Sequence, residues 1–333
     1  MKIAILSGGK WGTTLSVLYA HKYPDSKVKF WIRAESKYRD QPLVEYIKTN
    51  RVNPKRFLDI KVPNNVFVSS DIKSVVNDVD IVLSAIPSEY LKEHLPKLKG
   101  LNFKQFVNCS KGIVDDKPIS FYFKSLLAGV PYATISGPNI ANEIIANFND
   151  RGKINPSFAT IAFDNENAIQ DLVSILDFKP YFILDPHNDI KSVEYCGILK
   201  QVYALALGIC VGLGYSGNTI AGLFHACGRE IKKLLAFLNA NPNVYDETYA
   251  GYPDLEVTYK FARHGRTGKL IAEHGLNAAK EEMKGECIEG FRVLESMYKL
   301  TNDLIHLPIL KWLYSIIYQE DDIKPISELV NSF

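Results

Sequence analysis

Apolar runs and helical periodicity alternate along the first half of the chain. Residues 2–6, 28–32, 80–86, 103–109, 132–135, 158–163 and 181–184 are short, apolar and rich in β-branched or aromatic side chains. Several are unbroken runs, as expected of strands buried on both faces. Helical spacing fills stretches between them, such as 13–21 and 88–98. Strands alternating with helices predict a parallel, doubly wound sheet. After Pro186 the pattern changes. Apolar residues recur at helical spacing over 189–215, 220–239 and 268–318, and strand signals become rare. The expected fold class is therefore α/β, a doubly wound sheet over residues 1–187 followed by an all-helical domain over 188–333.

Composition narrows the partners. The 333 residues carry 39 basic and 37 acidic side chains, a net charge of +2. Such a balance offers no global field for nucleic acid or an anionic membrane, so an anionic ligand needs a local cluster. The five cysteines are scattered with no CxxC spacing, which suits reduced thiols in a cytoplasmic protein better than disulfides or zinc. No His or carboxylate cluster has ligand spacing, so no metal is expected. The opening MKIAILSGG is too short an apolar run for a secretory signal. No unbroken apolar stretch reaches the roughly 18 residues of a membrane span. The nearest, 204–215, is short and glycine-rich.

Ser7-Gly8-Gly9-Lys10-Trp11-Gly12 lies between the first strand and the first helix. A Rossmann-like dinucleotide fingerprint needs this context. Amides at the helix start would face a pyrophosphate, favoured by the helix dipole. Gly9 and Gly12 take the second and third glycine positions; Ser7 takes the first, with Gly8 beside it. Arg33 ends the second strand, with Glu35 following. An acid there bonds the ribose hydroxyls, whereas an arginine accommodates a 2′-phosphate. Arg33 thus leans the expectation from NAD towards NADP, the alternative being a solvated surface charge.

Loops after strand C-termini line the ligand crevice of a doubly wound sheet. Pro87-Ser88, Lys111-Gly112 and Ser136-Gly137-Pro138 follow three such strands. Lys200 stands within an apolar helical stretch, where a buried ammonium is costly unless paired or shifted in pKa. Periodicity alone favours a lysine that snorkels to solvent. His187 and His264 read as solvated loop residues, and His225 as a core histidine.

Taken in order, these motifs resemble the NAD(P)-dependent sn-glycerol-3-phosphate dehydrogenase family. The resemblance runs through Trp11-Gly12, Pro87-Ser88, Lys111-Gly112, Ser136-Gly137-Pro138 with Ala141 and Glu143, and Leu199-Lys200-Gln201. It continues through the glycine-rich segment to Asn218, Ala250-Gly251-Tyr252-Pro253-Asp254-Leu255 with Thr258, Gly265-Arg266-Thr267 and Ile288-Glu289-Gly290. Their collinear order is more specific than any single motif. The resemblance implies that Lys200 is the general acid/base, that Lys111 touches substrate and the nicotinamide side, and that Asp254 bonds substrate or orients Lys200. It implies that Arg266 holds the substrate phosphate near the cofactor, with Gly265, Thr267, Ser136 and Gly137 contributing contacts. Ser7, Gly8, Gly9, Lys10, Trp11, Gly12, Arg33, Pro87, Ser88, Lys111, Ala141, Arg266 and Glu289 would contact NAD or NADP. A homodimer through the helical domain is likewise implied.

The chemistry agrees: a ketone reduced by hydride needs a proton and a nearby cation at its oxygen, and a lysine supplies both. The family's pattern is broken at Ser7, Gln201, Pro253 and Thr267, where it has glycine, asparagine, glycine and asparagine. The expected reaction is NAD(P)H-dependent reduction of dihydroxyacetone phosphate to sn-glycerol 3-phosphate, supplying glycerophospholipid synthesis. One alternative is a related dehydrogenase acting on another phosphorylated ketone or a β-hydroxy acid, although Ala204 stands where the β-hydroxy acid family has asparagine. Another is a catalytically weak NAD(P)-binding sensor.

Overall fold

The computed structural model describes residues 1–148, 154–163 and 166–329; the last residues of the expected helical domain, 330–333, lie outside them. Eight strands form one sheet. Their order is Phe182–His187, Ser157–Phe163, Tyr132–Ser136, Phe103–Asn108, Val79–Ser84, Ile3–Leu6, Val28–Trp31, Val66–Ser69. Pairing is parallel from Val66–Ser69 through to Tyr132–Ser136, and between Ser157–Phe163 and Phe182–His187. Ile3 pairs with Val28 on one side and with Ile81 on the other. The chain therefore starts in the middle of the sheet, builds outward one way, then returns and builds the other way. Its switch point lies between Ile3–Leu6 and Val79–Ser84, where doubly wound sheets place their ligands.

Every strand read from the sequence lies in this sheet. The unforeseen one, Val66–Ser69, is an edge strand of VFVS with alternating burial, so it lacks the apolar run that marks the others. The helix expected over 88–98 is broken. A 3₁₀ turn Ser88–Tyr90, a short helix Leu91–His94 and a second 3₁₀ turn Leu95–Leu98 share the stretch. Pro96 enters that last turn, and its ring and missing N–H cannot continue a helix.

The sheet core joins Ile3, Ile5, Phe30, Ile81, Leu83 and Val107 to Leu15, Leu18 and Tyr19 of helix Lys10–Lys22. The Tyr19 hydroxyl, fully buried, donates to the Leu176 carbonyl at 3.1 Å.

The chain divides into two compact units that are not two unbroken stretches. The first comprises Met1–Ser110, Ile119–Ile135 and Asn139–Ile190; the second comprises Lys111–Pro118, Ser136–Pro138 and the chain from Lys191. The first holds the sheet. The second is helical, apart from the small antiparallel pair Ile113–Val114 with Lys117–Pro118.

The helical unit is built on Ile190–Gly212. This helix is long and apolar enough to cross a membrane by length and composition, yet 89% of its most apolar window is buried inside the protein. Lys191, Glu194 and Lys200 interrupt its apolar sequence, and it is buried on all faces, as a core helix is. Glu230 ties three helices together. Its carboxylate accepts Tyr203 Oη at 3.0 Å and the backbone N–H groups of Ile309 and Leu310 at 2.7 and 3.1 Å. Those amides open helix Pro308–Tyr318; burial raises the Glu230 pKa to about 7, and the hydrogen bonds from the two amides and Tyr203 oppose that rise.

Helix Ile190–Gly212 crosses helix Arg263–His274 at bare backbone. A methyl group on Gly208 would lie 2.2 Å from the Gly265 carbonyl oxygen, and one on Gly268 would lie 2.2 Å from that of Leu205. Gly208→Ala is expected to force the helices apart and cost about 1–3 kcal/mol, as overpacking does. Chemical denaturation of the variant checks this, and an unchanged midpoint would show that the crossing yields freely.

Candidate active site

The glycine turn in the sheet unit is shaped by close approach. A methyl group on Gly12 would lie 1.8 Å from the Ser7 carbonyl oxygen, so only glycine lets the helix start this near the strand. Gly8 packs on Ile32 at the end of the second strand. Ser7 has φ 135°, a conformation that favours glycine, so the missing first glycine leaves real backbone strain. Its hydroxyl compensates by accepting the Gly9 N–H at 3.2 Å. Gly9 is the N-cap of helix Lys10–Lys22, with no side-chain cap and no acidic residue in the first turn. Uncapped amides, positive dipole and exposed Lys10 form a cradle that fits a dinucleotide pyrophosphate.

The remaining cofactor candidates of this unit are positioned as follows. The Arg33 guanidinium lies 4.2 Å over the Tyr90 ring. Trp11 meets Phe182 edge-on at 6.0 Å. Ser88 is buried in the turn after strand Val79–Ser84, with half-buried Pro87 before it. The Ala141 carbonyl accepts the Thr14 hydroxyl at 3.3 Å, joining the start of helix Ala141–Ala146 to helix Lys10–Lys22.

The helical unit gathers the lysines. Lys200 does not snorkel: it is 6% exposed. Its Nζ donates to Asp254 Oδ1 at 3.0 Å and to Thr258 Oγ1 at 2.5 Å. Asp254 and Thr258 are one turn apart on helix Tyr252–Phe261, and both are buried. The second carboxylate oxygen of Asp254 accepts Lys111 Nζ, which also donates to the Gly137 carbonyl at 2.9 Å. One carboxylate thus bridges two ammonium groups. Burial lowers the Lys200 pKa to about 7; Asp254 opposes that shift, and the Lys111 and Arg263 cations add to it.

Two departures from the family pattern have local reasons. Pro253 falls in the first turn of helix Tyr252–Phe261, where proline is tolerated. Gln201 reaches further than asparagine would. Its Nε2 donates to the Lys111 carbonyl at 3.0 Å and to that of Gly197 at 3.3 Å. Gln201 Oε1 and Ser136 Oγ are buried without a hydrogen-bond partner among the described residues. A methyl group on Gly197 would lie 2.6 Å from that Ser136 oxygen and 3.4 Å from Lys111 Cγ, so both side chains border the same helix.

The residues following helix Tyr252–Phe261 differ from expectation. Arg266 is turned outward, where its exposed guanidinium pairs with Glu282 at 2.6 Å. Arg263, the first residue of the same helix, is exposed as well, and its charge is the weakest of the influences named above on the Lys200 pKa. Among the described residues Arg263 has no ion-pair partner. Thr267 is buried and bonds the Arg263 carbonyl within its own helix at 2.8 Å. Gly265 lies in the helix crossing described above. His264 is buried rather than solvated, because it sits on the inner face of helix Arg263–His274. Its Nε2 accepts the Gly290 N–H at 3.3 Å, and burial holds its pKa well below the usual value. Glu289, the first residue of helix Glu289–Thr301, is buried. His225 is exposed rather than in the core.

A doubly wound sheet with a glycine turn at its switch point, and a buried lysine on a carboxylate in the helical unit, are parts that a nicotinamide-dependent dehydrogenase needs. The comparisons with known proteins narrow the class. The family models for the NAD-dependent glycerol-3-phosphate dehydrogenase N-terminus and C-terminus match residues 2–167 and 189–328. A glycerol-3-phosphate dehydrogenase [NAD(P)+] from Thermoanaerobacter sp. (strain X514) is 31% identical over 330 residues, covering 96% of this chain and 93% of that relative. A solved glycerol-3-phosphate dehydrogenase from Coxiella burnetii matches with a TM-score of 0.85 at 26% identity, over 97% of this chain and 96% of that one. Another from Saccharomyces cerevisiae matches with a TM-score of 0.83 at 25% identity, over 100% and 99%. The chain belongs to the NAD-dependent glycerol-3-phosphate dehydrogenase family, oxidoreductases that act on a CH–OH donor with NAD or NADP.

Ser7→Gly removes the strain and releases the Gly9 amide. The variant is expected to be more stable and to bind NAD(P)H about three- to tenfold more tightly, the worth of one net hydrogen bond. Fluorescence titration of the reduced cofactor measures this; an unchanged Kd would leave the Ser7 hydroxyl no part in cofactor binding.

Proposed function

We propose that the protein reduces dihydroxyacetone phosphate to sn-glycerol 3-phosphate, reversibly, with NADH or NADPH. The observation that carries this reading is the buried Lys200 amine, paired with Asp254 and held near a pKa of 7. When bound, the reduced nicotinamide supplies the hydride. Lys200 holds a proton at Nζ and gives it to the oxygen of the reacting carbonyl as negative charge develops there. Asp254 aims that Nζ and keeps the Lys111 ammonium beside it. Ser136, Gly137 and Lys111 offer polar contacts to the substrate, the Ser136 hydroxyl having its oxygen uncommitted. We assign the substrate phosphate to Arg263 in preference to Arg266. Both side chains are exposed, but Arg263 has no ion-pair partner among the described residues, while Arg266 is engaged with Glu282. A guanidinium at a helix start suits a phosphate.

Ser7, Gly8, Gly9, Lys10, Trp11, Gly12, Pro87, Ser88, Ala141 and Glu289 are our candidates for holding the dinucleotide. Arg33 would receive a 2′-phosphate, which makes NADPH the favoured form. The five free thiols suit a reducing cytoplasm. A homodimer and a role in supplying glycerophospholipid synthesis complete the reading. The longer Gln201 side chain favours a second reading, reduction of another phosphorylated ketone.

Absorbance of the reduced cofactor, followed with dihydroxyacetone phosphate, tests the reaction. Lys200→Ala is expected to lower kcat by about 10²–10⁴-fold, the usual worth of a general acid. Cofactor binding without turnover of this substrate in the wild type would sink the assignment. Reduction consumes the protonated amine, so kcat/KM should fall as pH rises through about 7. Asp254 raises the Lys200 pKa, so Asp254→Asn should move that break to lower pH; a profile flat from pH ~5 to ~9 would remove Lys200 as the proton donor. Arg263→Ala should raise KM for the phosphorylated substrate by about 100-fold and Arg266→Ala by only a few-fold, consistent with loss of a charge-assisted contact. The reverse order would return the phosphate to Arg266.

A further inference from the structure

Asn53 lies in the irregular segment after helix Leu43–Asn50, 45 residues beyond the glycine turn. No motif marks it, yet it is fully buried against that turn. Its Nδ2 donates to the Gly8 carbonyl at 3.1 Å and to Thr13 Oγ1 at 2.8 Å. Thr13 Oγ1 in turn donates to the Gly9 carbonyl at 2.9 Å. The Asn53 Oδ1 is buried with no partner among the described residues. The side chain thus spends its donors on the turn and leaves its acceptor unused, so its reason for being there lies on the donor side.

The segment that presents Asn53 is held by contacts besides those to the turn. Arg51 donates from Nε to the Val62 carbonyl at 3.1 Å and from its guanidinium to that of Val66 at 3.0 Å. The Asn53 carbonyl accepts the N–H groups of Arg56 and Phe57 at 3.0 and 2.9 Å. Phe57 and Ile60 pack with Val17 of helix Lys10–Lys22 and with Ile145. Asn53 is therefore a fixed post.

In a trans peptide the C=O and N–H point in opposite directions. Fixing the Gly8 carbonyl inward therefore fixes the Gly9 N–H outward, on the side where the Ser7 hydroxyl now takes it. We propose that Asn53 is a positioning residue of the dinucleotide cradle: by holding the Gly8 carbonyl through Nδ2 it aims the Gly9 N–H at the cofactor pyrophosphate. Its substitution should cost affinity for the pyrophosphate and for no other part of the dinucleotide. This inference rests on the dinucleotide-binding reading above.

The test is binding of ADP-ribose, which carries the pyrophosphate, by calorimetry, and of adenosine, which lacks it, by ligand-observed NMR. Asn53→Ala should weaken ADP-ribose about tenfold or more and leave adenosine within about twofold, as for an unpaired buried carbonyl free to turn. Asn53→Asp, which sets a carboxylate against the same carbonyl, should weaken ADP-ribose further. Should these variants fail to fold, Thr13→Val, which removes the other partner of Nδ2 but leaves the bond to the Gly8 carbonyl, should loosen the Asn53 side chain and weaken ADP-ribose by a smaller factor with the same selectivity. Unchanged ADP-ribose binding, or equal loss of both ligands, overturns the proposal. If the wild type binds neither ADP-ribose nor NAD(P)H, the dinucleotide reading falls with it; if it binds both and the variants are silent, only the role of Asn53 falls.

Discussion

Two ammonium groups share the Asp254 carboxylate, and the chemistry of the helical unit depends on that arrangement. A buried lysine without a partner would shed its proton far below neutral pH or drag its helix towards water. One paired alone with a buried carboxylate would hold its proton too tightly to give it away. Here Asp254 sits between Lys200 and Lys111, so each cation dilutes the hold of the carboxylate on the other. Thr258 completes the coordination of Lys200. The result is a buried lysine whose pKa is lowered to about 7. Removing Asp254 would leave the buried Lys200 ammonium without a counter-charge, whereas removing either lysine leaves the carboxylate paired with the other.

The sheet unit solves a different problem, the close approach of backbone to a polyanion. It does so with little side-chain chemistry. Gly12 admits the helix, and the Ser7 hydroxyl, beside its glycine-like backbone, accepts the Gly9 amide N–H two residues on. The strain at Ser7 is affordable because strands on both sides fix the residue before it: Leu6 pairs with Trp31 and with Ser84.

The strands were legible in the sequence because buried parallel strands announce themselves as apolar runs. Val66–Ser69 was not, since an edge strand needs only half that signal. The candidate site was legible only as an ordered set of short motifs. Periodicity around Lys200 points to a solvent-seeking lysine, because no one-dimensional pattern shows that a carboxylate 54 residues later returns to meet it. Arg263 and Arg266 shared the same difficulty. The Gly265-Arg266 pair matches a familiar spelling, and no sequence pattern shows that Arg266 meets Glu282 16 residues later. Asn53 had no signal at all: an asparagine before a proline in a loop reads as a turn former, and its target lies across the fold.

The helical unit recruits Lys111–Pro118 and Ser136–Pro138 from within the sequence of the sheet unit. The evolutionary and engineering seam is therefore not where the chain passes from sheet to helices. A chimera joined near residue 190 would exchange Lys200 and Asp254 while keeping the old Lys111, splitting one charge cluster between two parents. Ancestral recombination at that junction would have faced the same mismatch. A handful of residues thus belong to one half by sequence and to the other by structure.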